Sequence, residues 1–473
     1  MKFCISPFVS LHQEVFIFPG RKDTTNHMTN DLTKGKPAKL IFFFAIPYLI
    51  GNLFQQFYNM ADTVIVGRIL GMNALAAVGA TGSIVWFAMG SIQGLTTGFA
   101  AITAQRFGAN DPDGIKKSFG ISIVLSAVFT AILMWFCITF AMPILELLQT
   151  PEEIIKDSYN YVMWIFVGLF ATTIFNLLSN MIRALGDSKT PLVFLIIACI
   201  VNIVLDIVFI YNFKMGPEGA GLATALAQFV SDILCIIYIV AKMPALHISL
   251  TDLKPEKTLT LGLLKTGIPM AFLNIVLSIG GIIIQFVNNG LGTLYVATYS
   301  AANKLEQFIV QPVISFGAAV SVFAAQNYGA GEYKRIRSGI NQCIVMCLAM
   351  SVSITVLMAF FGKGLIYAVA GGESAELIQN GYNYIIINSV CSVILVPLVV
   401  YKSVLQSLGR AVIPMLTGFV EVGCRALGSL VLVEYFGFIG VCFANPLAWL
   451  GAFLLIVVDY WLLLAKFKKL ENA

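Results

Sequence analysis

The sequence predicts an all-α membrane protein of about twelve transmembrane helices arranged as two pseudo-symmetric six-helix lobes. Three observations carry that prediction. Of the 473 residues, 58% are hydrophobic and 11% charged, with a mean hydropathy of +0.87, whereas soluble domains carry about a quarter charged residues. The apolar residues are gathered into stretches, most of them as long as the roughly 20 residues a helix needs to cross a hydrocarbon core. The chain also repeats itself: AAITAQRFGAN ending at Asn110 returns as SVFAAQNYGAG ending at Gly331, and RALGDSKTP ending at Pro191 returns as QSLGRAVIP ending at Pro414. Gln105 to Gln326 is a displacement of 221, Pro47 to Pro269 of 222 and Gly186 to Gly409 of 223, so three anchors stay in register. A duplicated apolar unit of this size builds two half-bundles, and membrane proteins made this way often place a substrate site between the halves.

Taken in order, residues 1–33 precede the first span. The opening MKFCISPFVSLHQEVFIFPG has one basic residue at its start, is interrupted by Pro7 and Pro19, and lacks a small-residue cleavage site. It makes a poor signal peptide and is expected to be a disordered extension, with Met28 opening the functional chain. Apolar stretches then follow near 41–66, 73–104, 118–143, 159–182, 190–212 and 218–241, forming a first lobe over 34–243. A linker over 244–260 leads to stretches near 262–291, 295–324, 339–361, 378–407, 411–434 and 438–465, the second lobe over 261–473. The short connections leave little room for an extramembrane domain.

Basic residues orient the bundle. With the amino terminus inside, nineteen Lys and Arg between Lys34 and Lys469, Arg183 among them, fall on cytoplasmic segments, against four outside: Arg68, Lys156, Lys214 and Lys363. Both termini and the linker are therefore expected to be cytoplasmic. The net charge of +5 reflects this topology and no nucleic-acid partner, since no basic stretch is interleaved with aromatics on a soluble surface. Eight of nine cysteines lie in spans without paired spacing and read as small apolar residues. His12, His27 and His247 lie in the tail or a loop, which excludes an intramembrane histidine metal site.

An ionisable residue inside a span is a functional hypothesis by default, because inserting one at a helix centre costs roughly 2.5–3.5 kcal/mol. The first lobe has Asp62, Asp206 and Asp232 in its spans and no deep Lys or Arg. A carboxylate without a cationic neighbour must hold a proton or bind a metal cation. Asp62 precedes Arg68 by six residues and Asp206 precedes Asn212 by six, so both carboxylates reach the same outer layer. Asn202 lies one turn before Asp206, Thr224 comes to a similar depth on the next helix, and Ala220, one turn before Thr224, offers a carbonyl. Hard oxygen donors of this kind suit an alkali cation such as Na⁺, or a shared proton, and no soft metal. Asp232 lies deeper and belongs to a different role. Pro47, on the helix of Asp62, breaks the backbone ladder and allows a bend.

The second lobe differs. At the repeat displacement Asp62 meets Ile284 and Asn202 meets Arg425, so the carboxylate is absent and a cation replaces the amide. That lobe carries Lys304, Glu306, Lys402, Glu421 and Arg425 instead. Glu421 and Arg425, one turn apart, either neutralise each other or face substrate, and Lys402 either lines the cleft or snorkels to the interface.

Together these motifs resemble the multidrug and toxic compound extrusion (MATE) family, its bacterial DinF-like branch, over nearly everything from Lys34 to Lys469. The resemblance rests on Pro47 and Asp62 in MADTVIVGRILG, the AQRFGAN and AQNYGAG helix endings, the LGDSKTP turn and the NIVLD motif. It implies the fold of the wider MOP superfamily and a monomeric exporter in the bacterial cytoplasmic membrane. Such an exporter exchanges incoming Na⁺ or H⁺, with no other cofactor, for outgoing organic and often cationic small molecules. It also implies a cation site at Asp62, Asn202, Asp206, Ala220 and Thr224. The NorM-like branch adds a carboxylate in the seventh helix; PMAFLNIVLSIGG has none, so a second cation site of that type is not expected. A lipid-linked precursor flippase of the same superfamily is the alternative, though such flippases commonly carry two further helices and a strongly cationic cleft. No nucleophile motif or cofactor fingerprint points to an enzyme.

Overall fold

The computed structural model describes residues 31–370 and 374–472. Among these residues the chain forms fourteen α-helices and no strand. The first lobe comprises α1 (Pro37–Ile69), α2 (Met72–Ala80), α3 (Gly82–Gly108), α4 (Pro112–Leu147), α5 (Glu152–Val167), α6 (Leu169–Ala184), α7 (Lys189–Ile207) and α8 (Pro217–Lys242). The second comprises α9 (Lys257–Leu291), α10 (Thr293–Gly329), α11 (Tyr333–Ala370), α12 (Ala375–Ser407), α13 (Val412–Phe436) and α14 (Phe438–Asn472). Eleven helices are long and apolar enough to cross a membrane, and α5 with α6, bent by 44°, makes a twelfth pass when the two are joined. Strongly exposed aromatics such as Phe43, Trp135, Phe286 and Phe360 suit a hydrocarbon surrounding.

Local chemistry starts and stops these helices. Pro37, Pro112 and Pro217 begin α1, α4 and α8, where a missing N–H costs nothing. Asp111 caps α4 by accepting the Gly114 N–H at 2.9 Å. Gly186 and Gly409, equivalent in the repeat, end α6 and α12 in the left-handed region at φ +95° and +80°. Two expected spans are broken. The stretch at 73–104 splits at Thr81, whose hydroxyl donates to the Val78 carbonyl at 2.7 Å, and the stretch at 159–182 splits at Gly168. The span at 190–212 ends in a π-helical turn, Val208–Asn212, immediately beyond Asp206. Pro47 is buried inside α1, which runs unbroken past it.

Pseudo-symmetry governs how the lobes meet. The first helix of each lobe packs on the second long helix of the other, α1 on α10 and α9 on α3. The closest approach is at the end of the bundle that holds Asp31 and Asn472, the basal end. There the repeated AQ motifs cross. A Cβ on Gly108 would stand 1.8 Å from the Gln326 backbone oxygen, and one on Gly329 would stand 1.8 Å from that of Gln105, so only glycine permits the contact. The glutamines then reach across reciprocally. Gln105 Nε2 donates to the Ser407 carbonyl at 2.6 Å, and Gln326 Nε2 donates to the Ala184 carbonyl at 2.8 Å.

Two sequence-based boundaries need adjustment. Residues 31–33 are held in place: Leu32 is 2% exposed, its N–H donates to Gln326 Oε1 at 3.0 Å, and its carbonyl accepts from Asn327 Nδ2 at 3.2 Å. The extension expected at 1–33 thus has its last residues docked, while 1–30 lie outside the described residues. The linker stops at Glu256, since α9 begins at Lys257, and it packs on the first lobe: Leu246 is buried, and Glu256 pairs with Lys117 at 3.0 Å. Among groups outside the spans, the Lys117 hydrogen bond holds the Glu256 carboxyl below its usual range.

Candidate functional site

Helices α1, α5, α7 and α8 converge around the sequence-predicted carboxylates. Asp62 comes from the outer half of α1 and Asp206 from the end of α7, and their carboxyl groups are direct neighbours. Asn202, one turn before Asp206, donates from Nδ2 to Thr224 Oγ1 on α8 at 3.3 Å. Ala220 is fully buried one turn before Thr224. All five expected cation-site positions therefore fall in one layer, with Asp206 0% exposed and Asn202 1% exposed.

Two residues of this layer escaped the sequence reading. Tyr58 Oη lies 3.1 Å from Thr224 Oγ1, and both Tyr58 and Tyr161 are close enough to feel the Asp62 and Asp206 charges. Tyr58 was findable, being one turn before Asp62 in FYNMAD. Tyr161 has a repeat equivalent in Tyr384, at the displacement of 223, and that match was the available signal.

The chemistry of the layer lies in what its oxygens lack. Asp62 Oδ1, Asn202 Oδ1 and both Asp206 oxygens are buried without a hydrogen-bond partner. A carboxylate only accepts, and each unmet buried acceptor costs about 1–3 kcal/mol. Asn202 has already turned its amide nitrogen toward Thr224, which leaves its oxygen free. Four acceptor oxygens gathered without a donor suit one small cation or a proton. No three His, Cys, Asp or Glu side chains converge as a metal cluster among the described residues, and the oxygens present are a mixed carboxylate and amide set of the kind hard ions accept.

Asp232 stands apart on α8, 2% exposed, with both carboxylate oxygens unpartnered and no second carboxylate beside it. The structure does not join it to the Asp62 layer.

The second-lobe residues form a different kind of cluster, on α10, α12, α13 and α14. Lys402 Nζ meets Glu421 Oε1 at 2.5 Å, and Arg425 Nη2 meets Glu421 Oε2 at 3.4 Å. Arg425 Nε donates to Asn445 Oδ1 at 3.1 Å, Asn445 Nδ2 donates to Glu306 Oε1 at 3.0 Å, and Tyr384 Oη donates to Glu306 Oε2 at 2.7 Å. Two sequence expectations change here. Lys402 does not snorkel: its side chain is 13% exposed and neutralises Glu421. Glu421 and Arg425 are no isolated pair, because Lys402 is the closer partner and Arg425 is shared with Asn445. Glu306, Lys402, Glu421 and Arg425 are thus joined, with Asn445 and Tyr384, in one network of ion pairs and hydrogen bonds. Lys304 takes no part in this network.

Comparison with known proteins places the chain. The MatE family model matches twice, over residues 47–208 and 269–431, once in each lobe. The probable multidrug resistance protein YpnP of Bacillus subtilis is 31% identical over 354 residues, covering 72% of this chain and 78% of its own. A probable multidrug resistance protein NorM of Thermotoga maritima is 23% identical over 86% of this chain and 87% of its own. Among solved structures, an outward-facing multidrug resistance MATE transporter of the MOP superfamily superposes with a TM-score of 0.86 at 20% identity, covering 94% of this chain and 100% of that one. A MATE in complex with MaL6 gives 0.84 at 21%, covering 94% and 99%. At such identity the likeness is one of fold.

Proposed function

This chain belongs to the MatE family of multidrug transporters, and from that premise we propose that it is a cation-coupled antiporter exporting organic, mainly cationic, small molecules. One observation carries the proposal: four buried acceptor oxygens on Asp62, Asn202 and Asp206 share one layer without a donor. A Na⁺ or a proton entering that layer supplies the missing positive charge. Tyr58 and Asn202 both meet Thr224 Oγ1, which ties α1, α7 and α8 together around the carboxylates without bonding to them.

Coupling then requires the ion to prefer one arrangement of the lobes, since an ion with equal affinity for both shifts nothing. Helix α1 is suited to transmit that preference. It carries Asp62, and it touches the second lobe through Asn52 Nδ2 to Ser315 Oγ at 3.0 Å and through Phe57 against Phe308. Pro47 lies between the ion layer and the basal end of the helix and removes a ladder hydrogen bond where α1 must flex. Alternating access would part the basal glutamine clasp as the opposite side closes. The basic residues support a cytoplasmic basal end and a bacterial inner-membrane location, and the protein would act as a monomer. A flippase is not favoured, because YpnP of Bacillus subtilis and MepA of Staphylococcus saprophyticus, both relatives of this chain, are named for multidrug resistance and export.

Reconstitution tests the proposal directly. Wild-type vesicles should expel a cationic dye under either a Na⁺ or a pH gradient, and imposing the two separately identifies the ion. Asp62→Asn and Asp206→Asn should insert and melt like wild type but fall to the rate of protein-free vesicles. Gradient-driven efflux by Asp62→Asn at the wild-type rate would refute coupling at this layer.

A further inference from the structure

A second polar feature lies between the lobes, at the basal side and away from the Asp62 layer. Arg183 sits in the last turn of α6, beside the Ala184 carbonyl that receives Gln326. Position in the sequence makes it a loop residue at the membrane surface. Its side chain instead enters a cavity of about 50 Å³ lined by α1, α3 and α6 of one lobe and by Ala318, Ser321 and Val322 on α10 of the other. The guanidinium lies over the Tyr48 ring, 4.9 Å from its centroid, and Nη1 donates to Asn180 Oδ1 at 3.0 Å. Its Nε is buried without a partner.

Five other arginines discharge differently. Arg106, Arg337, Arg410 and Arg425 each meet a carboxylate, and Arg335 donates to Asn327 and to the Leu32 and Gly35 carbonyls. Arg183 forms no ion pair with a carboxylate among the described residues, and Asp232 does not contact it. The α6 carbonyl dipoles favour a cation at this place by a fraction of a kcal/mol up to about 2 kcal/mol. They leave the fork itself open. A planar guanidinium that lines the cavity without a carboxylate partner, together with Asn180 and Ser321, is matched to a planar or tetrahedral oxyanion.

We propose that this cavity is an anion subsite that takes the carboxylate or phosphate of an organic substrate, so that Arg183 selects molecules carrying both a cationic body and an acidic group. Size limits the claim to a head group: a cavity of about 50 Å³ holds only a few water-sized spheres, and the body of the molecule must extend beyond it. Because the lining comes from both lobes, a seated head group touches the two bodies whose separation would release it. The proposal rests on the reading of the protein as an exporter of organic molecules and narrows their class.

Rhodamine 110 and its methyl ester, rhodamine 123, share a cationic ring system and differ in a free carboxylate, so they isolate the contribution of the acid. Fluorescence anisotropy on the purified full-length protein in detergent, without any gradient, gives both Kd values. Wild type should bind the free acid at least about tenfold more tightly, as expected for a charge-assisted hydrogen bond, and Arg183→Gln should abolish the difference between the two dyes. Arg183→Lys should retain part of it. Equal affinities in wild type, or a preference that survives in Arg183→Gln, would overturn the subsite. So would inorganic phosphate raising the melting temperature of wild type while the two dyes bind alike, since the anion would then be a free one. The measurement needs no coupling ion, so failure at Asp62 and failure here remain separate.

Discussion

The two lobes share a fold and a repeat, yet their polar cores are opposites. Around Asp62 and Asp206 the first lobe collects acceptors with no counter-charge, and four oxygens stay unmet. Around Glu306 and Glu421 the second lobe supplies Lys402, Arg425, Asn445 and Tyr384, and both oxygens of each glutamate find a partner. Tyr161 and Tyr384 are equivalent in the repeat and lie beside the acidic cluster of their own lobe. At the repeat displacement Ile284 stands for Asp62, Arg425 for Asn202 and Ser429 for Asp206, while Ser179 and Ala198 stand where the second lobe has Lys402 and Glu421. The two halves of the duplication therefore differ in the charge balance of their polar cores. The first lobe is left with unmet acceptors, and the second satisfies its own.

The largest test of that contrast removes the anion from the closed cluster. Glu421→Gln leaves Lys402 and Arg425 buried without a counter-charge and should cost about 3–5 kcal/mol, read as a large drop in melting temperature in detergent. Replacing Lys402 by Met at the same time should recover part of the loss. A double variant less stable than the single would show that the cluster is not held together by charge balance.

Next in size is the clasp that both lobes share. Gly108→Ala forces the Gln326 backbone away from a Cβ placed 1.8 Å from it, so the basal ends should separate. Spin-label distances between the basal ends of α3 and α10 should broaden toward longer values, and Gly329→Ala should do the same. Unchanged distances would mean that the crossing is not a contact the resting protein depends on.

Asp232→Asn sharpens the comparison within the first lobe. Asp232 is buried and unpartnered like Asp206, but it stands alone. If pairing of carboxylates makes the ion layer, gradient-driven efflux should change by less than about threefold, and the melting temperature should stay near that of wild type, since the amide keeps the volume and exchanges one unmet oxygen for an unmet N–H donor. Loss of coupling equal to that of Asp62→Asn would extend the layer to α8's inner half.

Smallest of all, deleting residues 1–27 should leave efflux unchanged, since Leu32, which docks on Gln326 and Asn327, is kept. Activity lost on that deletion at equal expression would give the extension a role.

Much of this was legible without coordinates. Spans, the duplication and the five-residue layer followed from hydropathy, register and helical spacing, because a bilayer imposes helix length and a repeat imposes correspondence. Where long-range contacts decide, sequence spacing was silent. Arg183 reads as a surface cation because it is three residues from a turn, but α1 and α10 close over it. Lys402 reads as an interfacial lysine because Gly409 is seven residues away, but Glu421 on the neighbouring helix draws it inward. The identity of each buried charge was written in the sequence. Its partner, or the lack of one, was set only when helices distant along the chain came together.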